Sequence, residues 1–247
     1  ANYTGALEIV DIGIPPYIVK SVEPKQFLLT RNLIKSYLAP RVEDTHKGMT
    51  GHLLVVAGSP GKTGAASMTS MSAMRAGAGL VTLAIGHSLN AMTEPLPESR
   101  GGALGEDAFD AIQKLIPGKK CLAIGPGLGQ AAETRKMVCK IIEESQIPVV
   151  LDADGINNLI GQVQILKNAR VPIIITPHPG EMARLLDVDV GKVQQDRIYW
   201  ARNVAVDLQV HVVLKGARTV IAHPDGRIFI NPTGNAGMAS GGMGDVL

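Results

Sequence analysis

The chain has 247 residues, of which 45% are hydrophobic, so it can bury one large core or one domain with a short extension. A net charge of +2 from interspersed acidic and basic residues leaves no footprint for nucleic acid or a membrane surface. No apolar run approaches the ~20 residues of a membrane helix, and 3% aromatics argue against base stacking on aromatic platforms.

Residues 1–24 have little periodicity and read as a leader or linker with one short strand. A helix is expected over Phe27–Leu38, ended by Pro40. From Gly51 an alternation begins. Leu53–Ala57 is a strand and Gly64–Ala76 a helix, followed by strand Val81–Ile85 and helix Glu106–Leu115. Strand Cys121–Gly125, helix Ala131–Ser145, strand Val149–Asp152 and a short helical piece over Ile156–Ile160 come next. Ile173–Thr176 is a strand, Glu181–Leu186 helical, and Val193–Leu208 one amphipathic helix with Ile198, Ala201, Ala205 and Leu208 on its apolar stripe. Strands Val210–Leu214, Thr219–Ala222 and Ile228–Ile230 close the series. The strands are continuous apolar runs, which predicts a mostly parallel sheet buried on both faces, in an α/β doubly wound architecture. Ligands of such sheets bind beyond the carboxyl ends of the strands, where Gly58, Gly125, Asp152, Thr176 and Lys215 all fall. Cys121 and Cys139, in different elements, fit a reduced, cytoplasmic protein better than a disulfide scaffold.

The richest stretch is the last, Asn231–Leu247, with five glycines and Asp245 as its one ionisable side chain. Asp-Val-Leu reads as the first turn of a helix, so the glycine-rich turn gathers backbone N–H groups at a positive dipole end, suited to phosphate. A carboxylate there repels anions but makes sense as a base for a hydroxyl attacking phosphorus; the alternative is a helix cap. Gly58-Ser-Pro-Gly-Lys62-Thr63 lacks P-loop spacing, because Val56 stands where that loop needs glycine. Gly125-Pro-Gly127-Leu-Gly129 lacks the third glycine of a dinucleotide fingerprint, since position 130 is Gln. Asp152 and Asp154 would point to one side of an extended strand and could hold Mg²⁺ through water, or Asp154 could cap a helix. Pro177 and Pro179 fix the backbone on either side of His178, which presents the ring in a set direction, with Glu181 at a helix start. Lys215-Gly-Ala-Arg218-Thr219 is either a nucleotide contact or an ordinary connection.

In combination these motifs resemble one family. Gly-Ser-x-Gly-x-Thr-Gly-Ala-Ala, Arg75-Ala-Gly-Ala-Gly79-Leu-Val-Thr, Gly-Pro-Gly-Leu-Gly, Asp-Ala-Asp-Gly, Thr-Pro-His-Pro-Gly-Glu, Leu-Lys-Gly and the terminal Asn-x-Gly-Met-Ala-x-Gly-Gly-Met-Gly-Asp are similar to those of NAD(P)H-hydrate dehydratases, of the ribokinase-like superfamily. The match runs in order from about Gly48 to Leu247. It implies a ribokinase-like α/β fold, with helices on both faces of a mostly parallel sheet. It also implies dehydration of NADHX or NADPHX to NADH or NADPH at the expense of ADP or ATP, the bacterial branch favouring ADP. Carried over residue by residue, Asp245 is the catalytic base, and Ala65, Gly127 and His178 contact the hydrated cofactor. Lys215, Gly216, Ala217, Arg218, Thr219, Asn235, Gly241, Gly242 and Gly244 contact the adenine nucleotide. Glu181 holds Mg²⁺ through water. Residues 1–24 resemble the tail of a preceding epimerase domain, and 25–247 a dehydratase domain whose C-terminal end lies further on. The resemblance implies a homotetramer or larger. A small-molecule kinase of the same superfamily and a non-catalytic nucleotide-binding module are the rivals.

Overall fold

The computed structural model describes residues 10, 12–38, 40, 45, 47–86, 93–99, 102, 104–238 and 240–247. Its N-terminal part holds α1 (Pro16–Ser21), β1 (Gln26–Leu28) and α2 (Arg31–Tyr37), the last capped by the Thr30 hydroxyl. The leader strand expected in residues 1–24 is not found among the described residues there, where Pro16 instead opens a helix at a position that suits proline.

The alternating part comprises β2 (His52–Val56), α3 (Thr63–Ala76), β3 (Leu80–Ile85), β4 (Thr93–Pro95), α4 (Glu106–Leu115), β5 (Cys121–Ile124), α5 (Ala132–Glu144), β6 (Val149–Leu151) and α6 (Asp154–Asn157). A 3₁₀ turn (Val163–Asn168) leads to β7 (Ile173–Ile175), α7 (Pro179–Leu186), α8 (Val190–Gln195), α9 (Arg197–Leu208), β8 (His211–Leu214), β9 (Val220–Ala222) and β10 (Ile228–Ile230). The single amphipathic helix expected over Val193–Leu208 is two. Asp196 leaves the helical region (φ −140°, ψ 77°), and its carboxylate accepts from the Tyr199 N–H at 2.9 Å, ending one helix and capping the next.

One ten-stranded sheet runs β1-β10-β9-β8-β7-β6-β5-β2-β3-β4, parallel throughout except β9, which is antiparallel to both neighbours. Chain direction along the sheet decides where the helices go. The crossover from β2 to β3 runs one way and carries α3; from β4 through β5, β6, β7 and β8 the chain runs the other way. Right-handed crossovers of opposite direction place their helices on opposite faces. One face is therefore packed by α4, α5, α7, α8 and α9, with Leu122, Ile124, Leu151, Ile175, Val212 and Leu214 buried against Ile112, Met137, Met182 and Leu208. On the other face Val55, Ala57, Val81, Leu83 and Ile85 pack with Ala66 of α3.

Beyond β5 that second face is open. Val150, Ile174, Val213 and Ile221 alternate with buried residues, are only half-buried, and join neither cluster. The sheet buried on both faces that the apolar runs predict is realised on one face throughout. On the other it is realised only under α3, among the described residues. Reversal of strand order falls between β2 and β5, which puts the switch point of the fold between the turns that follow them.

Candidate active site

Because β8, β7, β6, β5 and β2 are neighbours, the turns beginning at Lys215, Thr176, Asp152, Gly125 and Gly58 stand side by side at one edge. Close approach of the backbone holds the switch point together. Gly125 has φ +132°, and a Cβ there would sit 1.9 Å from the Asp152 carbonyl oxygen. Gly127 has φ +65°, and its Cβ would lie 2.7 Å from the Lys62 carbonyl oxygen and 3.4 Å from the Ala65 Cβ. Only glycine permits both turns. Ser59 Oγ donates to the Gly127 carbonyl at 2.7 Å and the Gly58 N–H to Pro126 at 2.8 Å, locking the two turns to each other. Ala65 and Gly127, both expected to contact the hydrated cofactor, are thus adjacent.

The two aspartates after β6 do not act as a pair. Ala153 between them adopts φ +48°, ψ −117°, a conformation rare outside glycine, and turns the carboxylates apart. Asp154 accepts from the Gly129 N–H (2.9 Å), Gln130 Nε2 (2.9 Å) and Asn157 Nδ2 (3.2 Å), with the Lys62 ammonium at 3.5 Å. Burial opposes its ionisation, but the Gln130, Gly129 and Asn157 donors and the Lys62 charge together hold its pKa below the ordinary value. It is an anchor for the β5 turn, neither a shared Mg²⁺ ligand nor a helix cap, and Lys62 belongs to it instead of to a phosphate loop.

Asp152 faces the strand ends. Its Oδ1 accepts from the Thr176 hydroxyl at 2.6 Å and from Lys215 Nζ at 2.7 Å. The same ammonium lies 3.7 Å from Glu181 Oε2. Glu181 and His178 form a reciprocal cap on α7: His178 Nδ1 accepts from the Gly180 and Glu181 N–H groups at 3.0 and 3.3 Å, and Glu181 Oε2 accepts from the His178 N–H at 2.8 Å. Nδ1 is thereby fixed as the acceptor, while Nε2 remains on a half-exposed ring, 3.6 Å from Glu181 Oε1. Sequence reasoning placed His178 by its prolines; the cap is what aims it.

The turn after β8 is organised from within. Arg197 donates to the Ala217 carbonyl, Arg218 (φ +59°) to Pro232 at 3.0 Å, and the Thr219 hydroxyl to Gly216 at 3.1 Å. Gly216 and Ala217 therefore offer backbone, and Lys215 the charge. Asn235 uses its side chain on the Gly237 N–H at 2.9 Å, which leads into a 3₁₀ turn over Ala236–Met238. Ala239 lies outside the described residues.

The helix expected from Asp245 is replaced by successive reverse turns: Met243, Asp245 and Leu247 donate to Ser240, Gly242 and Gly244 at 3.4, 3.1 and 3.2 Å. Thr69 of α3 tethers the turn, its hydroxyl donating to the Asp245 carbonyl at 3.0 Å. No sequence signal marks that contact, nor Arg197's hold on the β8 turn. The N–H groups of Gly241, Gly242 and Gly244 make no hydrogen bond among the described residues, so they are free to meet an anion. Lys215 Nζ lies 3.8 Å from where a Gly244 Cβ would stand, which brings the ammonium to the same turn. The Asp245 carboxyl is pushed above its ordinary pKa by burial and by the Asp152 charge, with Lys215 opposing. Beneath it a cavity of about 180 Å³, walled by Leu53, Ala73, Ala123 and Val150, has Asp152, Thr176 and Asp245 among its lining. A larger open hollow of about 660 Å³ lies away from Asp245, between Lys25, Arg202 and the β9–β10 turn, and has no such chemistry.

The site thus sets a carboxylate beside unclaimed N–H groups at the switch-point edge of a mostly parallel sheet. The family model of NAD(P)H-hydrate dehydratases matches residues 53–247. The bifunctional NAD(P)H-hydrate repair enzyme of Moorella thermoacetica is 44% identical over 256 residues, covering all of this chain and 48% of that protein. The chain thus spans about half the length of that bifunctional relative. The crystal structure of the ADP/ATP-dependent NAD(P)H-hydrate dehydratase of Bacillus subtilis, co-crystallised with ATP/Mg²⁺, superposes with a TM-score of 0.72 at 32% identity, over 89% of this chain and 77% of that one. A ribokinase-like superfamily protein of Enterococcus faecalis shares the fold, with a TM-score of 0.71 at 24% identity over 90% of this chain and 77% of that one. The chain belongs to the NAD(P)H-hydrate dehydratase family and has its ribokinase-like fold.

Proposed function

We propose that the chain returns the (S)-form of NADHX or NADPHX to NADH or NADPH at the expense of ADP or ATP, with Asp245 as the base. The observation that carries this reading is the Asp245 carboxyl, of raised basicity, on the same turn as the free N–H groups of Gly241, Gly242 and Gly244. Asp245 takes the proton of the C6 hydroxyl as that oxygen attacks the terminal phosphorus of the nucleotide. AMP leaves when ADP is used, and ADP when ATP is used. The C6–O bond then breaks, driven by the ring-nitrogen lone pair; orthophosphate leaves, and the resulting iminium loses a proton from C5 to solvent, which forms the C5–C6 double bond of the reduced cofactor. The three N–H groups stabilise charge developing on the transferred phosphoryl oxygens. Lys215 and the Gly216–Ala217 backbone, with Arg218, Thr219 and Asn235 shaping their turns, hold the adenine nucleotide. Ala65, Gly127 and the Nε2 of the half-exposed His178 ring meet the hydrated cofactor.

Mg²⁺ fits in one way only. Asp152 and Glu181 already share the Lys215 ammonium, and Glu181 Oε2 also takes the His178 N–H, so direct coordination has little room. Glu181 would hold a hydrated ion through water beside the nucleotide. An ion held there would supply neutralisation of phosphate charge.

We further place residues 1–24 as the tail of a preceding epimerase domain, as in the bifunctional relatives, and the functional unit as a homotetramer or larger. The free thiols of Cys121 and Cys139 support a reducing, cytoplasmic setting. Among the described residues no helix is long and apolar enough to cross a membrane. The test is orthophosphate release coupled to NADH recovery with NADHX and ADP or ATP, beside a panel of hydroxymethylpyrimidine, thiazole and sugar acceptors. Phosphorylated acceptor without NADH recovery would make the chain a kinase, and nucleotide binding with no turnover would make it a binding module.

A further inference from the structure

We propose that His211 and His223 form a two-point site for a borderline transition-metal ion (Zn²⁺, Cu²⁺ or Ni²⁺) that clips the open end of the β8–β9 hairpin. Register brings the pair together. Val212 pairs with Ala222 and Val213 with Ile221, so His211 and His223 stand opposite one another one step further out. They share a face with Val213 and Ile221, the open face of the sheet. Their ring centroids are 4.7 Å apart at an interplanar angle of 81°. Metal–imidazole bonds of about 2.0–2.1 Å reach both rings from one ion after small side-chain rotations.

A further observation points to a ligand. No ring nitrogen of either histidine makes a hydrogen bond among the described residues, whereas His52 pairs with Thr82 and His178 caps α7. A ring nitrogen of neutral imidazole that makes no hydrogen bond keeps a lone pair available to a metal. Neutral imidazole selects Zn²⁺, Cu²⁺ and Ni²⁺ over the hard Mg²⁺ of nucleotide chemistry.

The site is separate from the strand-end cluster. Lys215 follows His211 by four residues of strand, about 13 Å. It is also coupled to that cluster, because the turn closing the hairpin is the Lys215–Thr219 segment. Behind the pair, His223 packs on Phe229 at 5.3 Å and Phe229 on Phe27 at 5.2 Å, so the clip backs onto the strand that docks β1.

The experiment uses the untagged chain, the metal alone as probe, and the variants His211→Asn and His223→Asn. Cu²⁺ electron paramagnetic resonance should show two equatorial imidazole nitrogens in the wild type and one in each variant. Zn²⁺ titration calorimetry should show about 10²-fold weaker binding in either variant, as expected when two linked contacts become one. Zn²⁺ should raise the melting temperature of the wild type only. His52→Asn should bind as wild type. If an Asn variant does not fold, the Gln variant is read in its place. Wild-type affinity in both variants, or a one-nitrogen signal in the wild type, would leave the rings as packing and overturn the site.

Discussion

Replacing Asp245 with Asn removes a proton acceptor and leaves shape almost unchanged. The bonds that hold this turn use backbone atoms: the Asp245 N–H donates to Gly242 and its carbonyl accepts from Thr69. The substitution should therefore leave the turn in place. Loss of a general base costs about 10²–10⁴-fold in rate, or about 2.7–5.5 kcal/mol of barrier. Nucleotide affinity should hold or tighten, because a charge facing phosphates has gone. Stability should move with pH in a definite direction. Burial and the Asp152 charge raise the Asp245 pKa in the folded chain. That proton-linked stability is complete below the ordinary carboxylate pKa and is lost as pH rises through the folded value. Ionised Asp245 is then a liability at neutral pH, so Asn should melt at an equal or higher temperature there, with the difference shrinking towards about pH 4. The assays are NADHX-dependent phosphate release, ADP calorimetry, and melting at the two pH values. Turnover near wild type would refute the base; turnover and ADP affinity lost together would make Asp245 a binding group.

Asp152→Asn takes a negative charge from beside Asp245 and should shift the acidic limb of the kcat–pH profile to lower pH, since that charge helps to raise the Asp245 pKa. It also breaks the largely buried contact to Lys215 at 2.7 Å, which should lower stability by about 1.5–3 kcal/mol; an unmoved limb in a folded variant would end the coupling. His178→Ala should lose both the cap of α7, about 0.5–2 kcal/mol, and affinity for NADHX, with ADP affinity unchanged. His178→Asn should recover the melting temperature as a good cap but not NADHX affinity, and recovery of both would reduce His178 to structure.

The sequence made the sheet legible because its strands are short apolar runs between glycine- or proline-rich turns, and α4 because acidic residues open it and Leu115 ends it. The break at Asp196 was hidden, since apolar periodicity continues through it and one residue's φ/ψ leaves no mark on a 3.6-residue pattern. β4 is three residues of Thr-Glu-Pro on the sheet edge and has no apolar run to read. The open face could not be read either: an apolar strand looks the same whether or not a helix covers it, and coverage follows from the direction of each crossover. In the site, strand ends were visible but their contents were not. Asp152 and Lys215 are 63 residues apart and meet because β6 and β8 flank β7. Ala153 was silent, because nothing in its chemistry announces a positive φ.

The charge at the strand ends sets two opposed demands. Phosphate calls for positive charge, yet a lone ammonium beside Asp245 would depress its pKa and weaken it as a base. Here Lys215 is neutralised at 2.7 Å by Asp152 and flanked by Glu181 at 3.7 Å, so Asp245 meets a compensated lysine and burial prevails in raising its basicity. Three carboxylates against one ammonium would by themselves repel a nucleotide. In the proposed chemistry the attraction comes from groups that do not quench the base: the unpaired N–H groups of Gly241, Gly242 and Gly244, whose dipoles act at short range, and a hydrated cation that Glu181 would hold. That division fits a turn in which three glycines, Gly241, Gly242 and Gly244, lead into a single aspartate. Added lysines there would lower the basicity of Asp245 that the proposed chemistry depends on.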